Sequence, residues 1–535
     1  MSRAALTRRG FLGSAAAALA AASRPAAAAV PQVWQRGASA DPGSLDPHKT
    51  STVIESDILS ELYEGLVTRD AQGEIIPGVA QAWSADAGET VYTFTFRPDA
   101  RWSNGERVVP EDFVFAFRRL MQPQTGAQYA NILYTLKNAE RVNKGELPPA
   151  ELGVRALDDT RLELTLERRV PYLLQQLAHL TALPVHRPSV ERFGDAFARP
   201  GRMVSNGPFE LKAFMPNDRL VMGKNPHFHA ASGVALDGQV FIPFEDRAAA
   251  LRRFMAGEIL SYDDVPVDQI AFVRQHLGDA FRTAPSLASY FYAFDTRHPP
   301  FDDARVRRAL AMVIDREFLA RRIWGGTMEP GYSFVPPGIA SYGAPETVRW
   351  KAMDPFARED EAKRLLQAAG FGPGGKPLKV EIRFNTSENH KATAVAIADM
   401  WRVLGVETSL LQTDATSHYA FLYSKAPFEI ARSGWFADFA DAENFLFLAE
   451  STNKSLNYAN FADPGFDALM REAAQAPDAE ARRILLHKAE ALLIEEEPYL
   501  VLMSFQSRNL VSRQLRGWET NVLNVHPGRF VSIGP

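Results

Sequence analysis

The 535-residue sequence contains no cysteine. Disulfides, thiolate metal sites, cysteine nucleophiles and a lipid-modified N-terminal cysteine are thereby excluded. A basic surplus is missing as well. The 59 Lys and Arg are outnumbered by 64 Asp and Glu, which argues against a general nucleic-acid binder with its basic stripe. After the alanine-rich N-terminus no apolar run is long enough to cross a bilayer. A hydrophobic share of 46% with 23% charged residues leaves a globular chain rather than a disordered one. Neither a G-x-S-x-G elbow nor an H-E-x-x-H helix occurs. Residues 370–376 (GFGPGGK) match the start of a phosphate loop, but Pro377 stands where Ser or Thr should hold magnesium, and a strand pattern follows where a helix should open. His227-Phe228-His229 offers two imidazoles without an obvious acidic partner, short of the three or four ligands a metal site needs. Asp263-Asp264 and Asp302-Asp303 read as turns and caps. No metal, cofactor or nucleic-acid partner is expected. An enzyme with scattered catalytic residues stays open, although nothing argues for one.

What is present begins with an address. Thr7-Arg8-Arg9-Gly10-Phe11-Leu12 places paired arginines before a small, weakly apolar stretch, and Ala26 to Ala29 supply an A-x-A cleavage site. The arrangement is similar to a twin-arginine export signal, with an ordinary secretory signal as the alternative. Cleavage after Ala29 removes four arginines and no acid, taking the net charge from −5 to −9 over 506 residues. A soluble exported chain without a lipidated cysteine fits the periplasm of a Gram-negative cell.

Along the remainder, strand and helix patterns alternate irregularly, without a repeat. Residues 91–97 (VYTFTFR) and 161–167 (RLELTLE) alternate apolar and polar side chains, as half-buried strands do. Residues 378–384 (LKVEIRF) form a third such strand, with Val380, Ile382 and Phe384 inward. Pro110-Glu111-Asp112 opens a helix to Met121, with proline in the first turn and acids at the positive dipole end. Asp302-Asp303 cap a helix with the stripe Val306, Leu310, Val313 and Ile314. Residues 361–369 form a helix stopped by Gly370. Residues 479–496 form a long helix closed by Pro498, before a strand over 499–505. The class is mixed α/β in several lobes.

The segment Gly434-Trp435-Phe436-Ala437-Asp438-Phe439 sets a carboxylate beside large aromatics and a glycine. It reads either as a buried strand with its exit turn or as a ligand wall. As a wall, it would pair Asp438 with a ligand ammonium and lend backbone to a peptide main chain, a known recognition mode.

Several segments together resemble the oligopeptide-binding proteins of ABC importers, a large solute-binding family. They are Ser44-Leu45-Asp46-Pro47-His48-Lys49, Glu64-Gly65-Leu66, Pro77-Gly78-Val79-Ala80, Arg101-Trp102-Ser103-Asn104-Gly105 with Glu111-Asp112-Phe113, Asn206-Gly207-Pro208-Phe209, Pro299-Pro300-Phe301-Asp302-Asp303 with Arg305-Val306-Arg307, and Gly434 to Asp438. They span about residues 32–530, in order. The resemblance implies a periplasmic-binding-protein type II-like α/β fold, in which two hinged lobes close on a ligand and a third is inserted in the first. Lobe I would be 30–63, 171–285 and 506–535, the inserted lobe 64–170 and lobe III 286–505.

The resemblance also implies contacts. Asp438 matches the acid that pairs with the peptide α-ammonium. Gly434, Trp435 and Phe436 match the segment whose backbone pairs with the peptide, and Ser51, Thr52 and Val53 the opposing segment. Tyr129 matches a ligand-contacting tyrosine of the inserted lobe, while His390 and Arg432 match positions that help neutralise a peptide carboxylate. The plain alternatives are a surface histidine, a local ion pair for Arg432 and a packing role for Tyr129. Phe439-Ala440-Asp441-Ala442 replaces the family's frequent Tyr-Asn-Glu-Pro, Asp295-Thr296 replaces an Asn-Asn pair, and a pocket tryptophan is missing near Ser417-His418. The expected function is to bind short peptides and deliver them, as a monomer, to an inner-membrane permease. The rivals are a murein peptide, an opine-like amine or another small solute on the same fold, a periplasmic hydrolase, and a folding helper.

Overall fold

The structure is a computed structural model and describes residues 31–534 apart from Ser51, Gln128 and Pro373. The proposed leader, residues 1–29, and Ser51 therefore lie outside the described residues.

Two sheets organise the chain. A seven-stranded sheet is built around Val33–Ala38, which runs parallel to Gly238–Pro243 and antiparallel-paired strands continue through Arg219–Lys224 to Phe209–Met215. Its other flank takes Ser261–Tyr262, Asn509–Val511 and Phe281–Arg282. A six-stranded sheet takes all its strands from Pro285 to Gln506, in the order Met328–Pro330, Tyr499–Gln506, Pro285–Phe294, Ile430–Phe436, Lys379–Asn385, Glu407–Thr413. The chain thus crosses between the sheets twice, at residues 283–284 and 507–508. The crossings are bonded to each other: Ser507 N–H donates to the Ala284 carbonyl at 2.9 Å, and Ala284 N–H donates to Ser507 Oγ at 3.1 Å.

The second sheet is covered on both faces. Pro285–Phe294 is buried from Leu287 onward. Its alternate residues divide between two cores, Tyr290, Tyr292 and Phe294 on one face and Leu287, Phe291 and Ala293 on the other, as a period of two requires. Residues 64–170 contribute a four-stranded sheet containing Val91–Phe96 and Arg161–Thr165. Its side chains share one continuous core with the seven-stranded sheet. Of the buried side chains in that core only Phe439 comes from the stretch carrying the other sheet.

Local readings hold with instructive shifts. Pro110–Met121 and Ala479–Glu496 are helices. Asp112 accepts from the N–H of Val109 at 2.9 Å and from the indole of Trp102 at 3.1 Å, which ties the Arg101-Trp102 and Glu111-Asp112 segments together. Asp303 alone caps Ala304–Met312, and Val313 lies past its end; Asp302 instead donates its N–H to the His298 carbonyl. The helix expected from 361 starts at Pro355, capped by Asp354. Its first turns face solvent, with Phe356 79% exposed, so the apolar stripe begins two turns late. Gly207 N–H donates to the Leu62 carbonyl, and a Cβ there would lie 2.5 Å from that residue's backbone. Asn206 clasps Glu64 through both main-chain groups at 2.8 and 3.1 Å. His229 is bonded to Glu64 at 2.8 Å and Phe228 is buried, so these two side chains serve the packing of this segment.

Asp46 and Arg119 pin the first segment to the helix of the smaller sheet by two hydrogen bonds at 3.0 and 2.6 Å, both groups buried. Burial pushes the Asp46 carboxyl upward, but the Arg119 bonds and charge outweigh it and hold it below its ordinary value. Asp46→Ala leaves a buried guanidinium without its partner. It should cost about 3–5 kcal/mol, against at most about 1 kcal/mol for removing the more exposed Lys49–Asp195 pair, read as shifts in urea midpoint. Because the folded carboxyl titrates below 3.8, the Asp46→Ala deficit should persist as pH falls until that range is passed.

Candidate functional site

Strand Ile430–Phe436 has one edge closed and one edge that opens. On the closed side it pairs with Pro285–Phe294 from Phe294↔Ile430 to Ala288↔Phe436. On the other it pairs in parallel with Lys379–Asn385 only at Ile382↔Ile430 and Arg383↔Ala431; beyond that the strands part. Ala437 N–H donates to the Leu287 carbonyl and Glu429 accepts from Asp295 N–H, so the odd-numbered residues face the closed side. Alternation turns the main-chain groups of Arg432, Gly434 and Phe436 to the open edge. The Arg432 carbonyl there accepts from His418 Nε2 at 2.8 Å. Gly434 and Phe436 remain as an edge without a strand partner. A Cβ on Gly434 would sit 3.0 Å from the Ser289 carbonyl and 3.8 Å from Arg432 Nη2, so glycine keeps the face clear and brings the guanidinium beside it.

Past the strand, Asp438 is half-buried in a cavity of about 580 Å³ between the two halves of the molecule. Tyr129 Oη donates to Asp438 Oδ1 at 3.1 Å. Asn444 Oδ1 accepts from the Asp438 N–H at 3.2 Å and from the Trp435 indole at 3.0 Å, which fixes the turn. Burial drives the Asp438 carboxyl up to about 6, against the opposing hydrogen bonds of Tyr129 and Asn444. No basic side chain forms a salt bridge with it among the described residues. A carboxylate in that state favours a cation.

The opposite sign occupies the fork between the parting strands. Arg432 is buried, donates from Nη1 to Asn385 Oδ1 at 3.1 Å and to Tyr419 Oη at 2.9 Å, and lies 4.8 Å from the Tyr290 ring centre. Among the described residues no acid pairs with it, and its Nε is buried without a partner. His390 is buried against Tyr290 Oη at 3.0 Å, so it is not a surface residue. Burial, then the Arg432 charge, lowers His390 to about 3; burial also lowers His418 to about 4. Both rings are neutral near pH 7, so of these three side chains only Arg432 carries a positive charge.

Tyr129, Trp435 and Asp438 thus meet in one cavity, while Arg432 and Gly434 share the strand Ile430–Phe436 and His390, on the helix Glu388–Met400, meets the Tyr290 side chain that Arg432 also faces. Thr52 and Val53 join neither group. Thr52 caps the helix Val53–Leu62: its N–H and hydroxyl bond to Glu55 Oε2 at 3.0 and 2.8 Å, and its carbonyl accepts from Ser56. Its main chain is spent on the helix, while Val53 is 67% exposed. Asn444, Tyr290, Tyr419 and His418 escaped the sequence reading. His418, Tyr419 and Asn444 stood at or beside flagged positions, but no motif marked their contacts.

The family model described as bacterial extracellular solute-binding proteins, family 5 Middle, matches residues 74–457. The chain is similar to the periplasmic oligopeptide-binding protein OppA of Salmonella typhimurium, 33% identical over 517 residues and covering 94% of each chain. It is similar to the periplasmic murein peptide-binding protein MppA of Escherichia coli, 33% identical over 484 residues, with 90% of this chain and 89% of the relative covered. A solved structure of MppA in its unliganded open form matches with a TM-score of 0.84 at 32% identity, over 94% of this chain and 98% of that one.

The raised Asp438 carboxyl has a measurable consequence. The folded state binds this proton more tightly than the unfolded state, so its contribution to stability falls as pH rises from 3.8 through about 6. Asp438→Asn keeps an acceptor for Tyr129 and removes the charge. The ligand-free variant should be more stable than wild type at pH 7.5 by about 1–2 kcal/mol, with the difference fading below pH 4. Equal melting temperatures at pH 7.5 would contradict the assigned environment.

Proposed function

The chain belongs to the bacterial extracellular solute-binding proteins of family 5 and has their type II-like α/β fold, and from that premise we propose that it binds short peptides between its lobes and hands them to an ABC permease. The observation that carries this reading is the open strand edge with opposite, uncompensated charges at its ends: Asp438 in the cavity and Arg432 in the fork. A peptide zwitterion matches both charges, and its main chain matches the edge at Gly434 and Phe436. Tolerance of side chains follows, because backbone is what the edge reads.

The spacing bears on length. The Arg432 guanidinium lies over Gly434, four residues from Asp438. At about 3.3 Å per extended residue the charges are roughly 13 Å apart, which suits a ligand of about three or four residues. His390 would add a hydrogen bond near the carboxylate, and Tyr129 one near the ammonium. Val53 faces the ligand in this proposal as an apolar contact; Thr52 contributes through the helix it caps.

The lobes are assigned as 30–63, 171–285 and 506–535, with 64–170 inserted, and 286–505 opposite. Supporting this division, the sheets exchange chain only at the two bonded crossings, which serve as the hinge. The continuous core under the inserted lobe favours its moving with lobe I. Residues 1–29 are assigned as a twin-arginine-type leader, the location as periplasmic and the state as a monomer. The relatives are named as binding proteins, which favours a carrier over a hydrolase.

Protein purified natively and released with acid should yield short peptides of mixed sequence by mass spectrometry. A single non-peptide compound would overturn the peptide reading and leave the family. In calorimetry, trialanine should bind, whereas N-acetyl-trialanine, trialanine amide and the Asp438→Asn variant with trialanine should each bind at least about thirtyfold more weakly. Since the ammonium needs the ionised carboxyl, affinity should fall below pH 6 by up to about tenfold per unit, with Asp438→Asn flat over that range.

A further inference from the structure

The cavity at Asp438 holds a second carboxylate that pairing with a peptide α-ammonium leaves unused. Glu443 lines the same cavity, one residue before Asn444, whose Oδ1 accepts from the Asp438 N–H. The two acids therefore stand on adjoining parts of one wall. Glu443 Oε1 accepts from Tyr172 Oη at 2.9 Å, and among the described residues no basic side chain forms a salt bridge with it. Arg482, whose charge acts on Glu443, is committed elsewhere: it makes two hydrogen bonds to Asp441, at 2.9 and 2.7 Å. Arg168 also lines the cavity, with its charge acting on Glu450. Asp441 and Glu450 add like charge, and burial, then Asp441, raises Glu443 to about 7. The same lining also carries aromatic side chains, Tyr129, Tyr423, Trp435 and Phe447. Such a lining accommodates an alkyl stem and favours a cation at its end.

We infer that the cavity selects peptides whose first residue bears a cationic side chain, and that Glu443 is the group that pairs with that cation. The inference rests on the reading that a peptide ammonium sits at Asp438. Lysine would place its α-ammonium at Asp438 and its side-chain ammonium at Glu443. Norleucine would present the same stem without the charge, and glutamate would add a third carboxylate to the wall.

The test is calorimetry with the full mature chain and Lys-Ala-Ala, Nle-Ala-Ala, Ala-Lys-Ala and Ala-Nle-Ala. Wild type should prefer Lys-Ala-Ala to Nle-Ala-Ala by about tenfold or more, with a much smaller ratio when the pair is moved to the second position. Glu443→Gln, which keeps an acceptor for Tyr172, should bring the first-position ratio close to one, chiefly by weakening Lys-Ala-Ala. Glu443→Asp should retain the preference. A purely structural role for Glu443 would weaken all four peptides alike and overturn the assignment. Equal affinities of wild type for Lys-Ala-Ala and Nle-Ala-Ala would overturn it without any variant, as would a preference that survives in Glu443→Gln. Failure of wild type to bind any of the four would sink the peptide reading itself, a result distinct from loss of selectivity among peptides that do bind.

Discussion

The parting of two strands beyond Arg383↔Ala431 is the constraint on which the site depends. Up to that pair, Ile430–Phe436 is an interior strand with neighbours on both sides. Beyond it, main-chain donors and acceptors of alternate residues have no strand to meet, a state that folded proteins ordinarily cover. One group is covered: the Arg432 carbonyl accepts from His418. The fork itself is filled by the Arg432 side chain, held by Asn385 from one strand and Tyr419 from the helix beyond. What is left open is short, two residues that face outward, and Gly434 has no side chain to obstruct it. A short open edge admits a short ligand strand and offers little to a second protein copy.

Charge follows the same plan. A charge taken out of water without a partner is costly, and this molecule keeps one of each sign near the ends of one short edge. Several other buried charges are matched: Asp46 with Arg119, Asp441 with Arg482, Glu61 with Arg36. Opposite charges without an ion-pair partner near the two ends of one open edge are more informative than any raised or lowered pKa alone. Perturbed groups cluster where a ligand completes them. Neutral His390 and His418 sharpen the effect, because they surround the Arg432 charge without sharing it.

Much of the frame was legible. Alternation located Val91–Phe96 and Arg161–Thr165, and a proline start with acids located Pro110–Met121, because these signals are local. The segment around Asp438 stood out by composition. Its meaning did not, since an isolated carboxylate near aromatics describes a turn equally well. The helix at Pro355 was read late because its first turns touch nothing apolar. Thr52 was expected to lend its main chain to a ligand, but a threonine three residues before Glu55 forms a capping box that consumes it. Asn444 could not be singled out at all. Its role is to bring Trp435 and Asp438 into one geometry, which exists only after the chain has turned back on itself.

The turn carrying Asp438 is also one place where the two halves of the molecule touch. Phe439 is 4% exposed, stacks on Tyr172 with ring centres 4.9 Å apart, and is counted with the other half's core. Tyr129 reaches Asp438, and Tyr172 reaches Glu443, from the same direction. Residues 438–443 are therefore both the place where a ligand cation would be neutralised and a place where the lobes engage. A ligand shifts a conformational balance only by the difference in its affinity for the two states. Here that difference has a source: in the engaged state Asp438 is desolvated and held by Tyr129, so an ammonium placed there relieves a cost that a separated, hydrated carboxylate would not bear. The bulk at position 439 adds an apolar anchor to the same contact. Under the proposed function, binding and closure would be coupled through this one short turn, and a substitution in it would alter the two together.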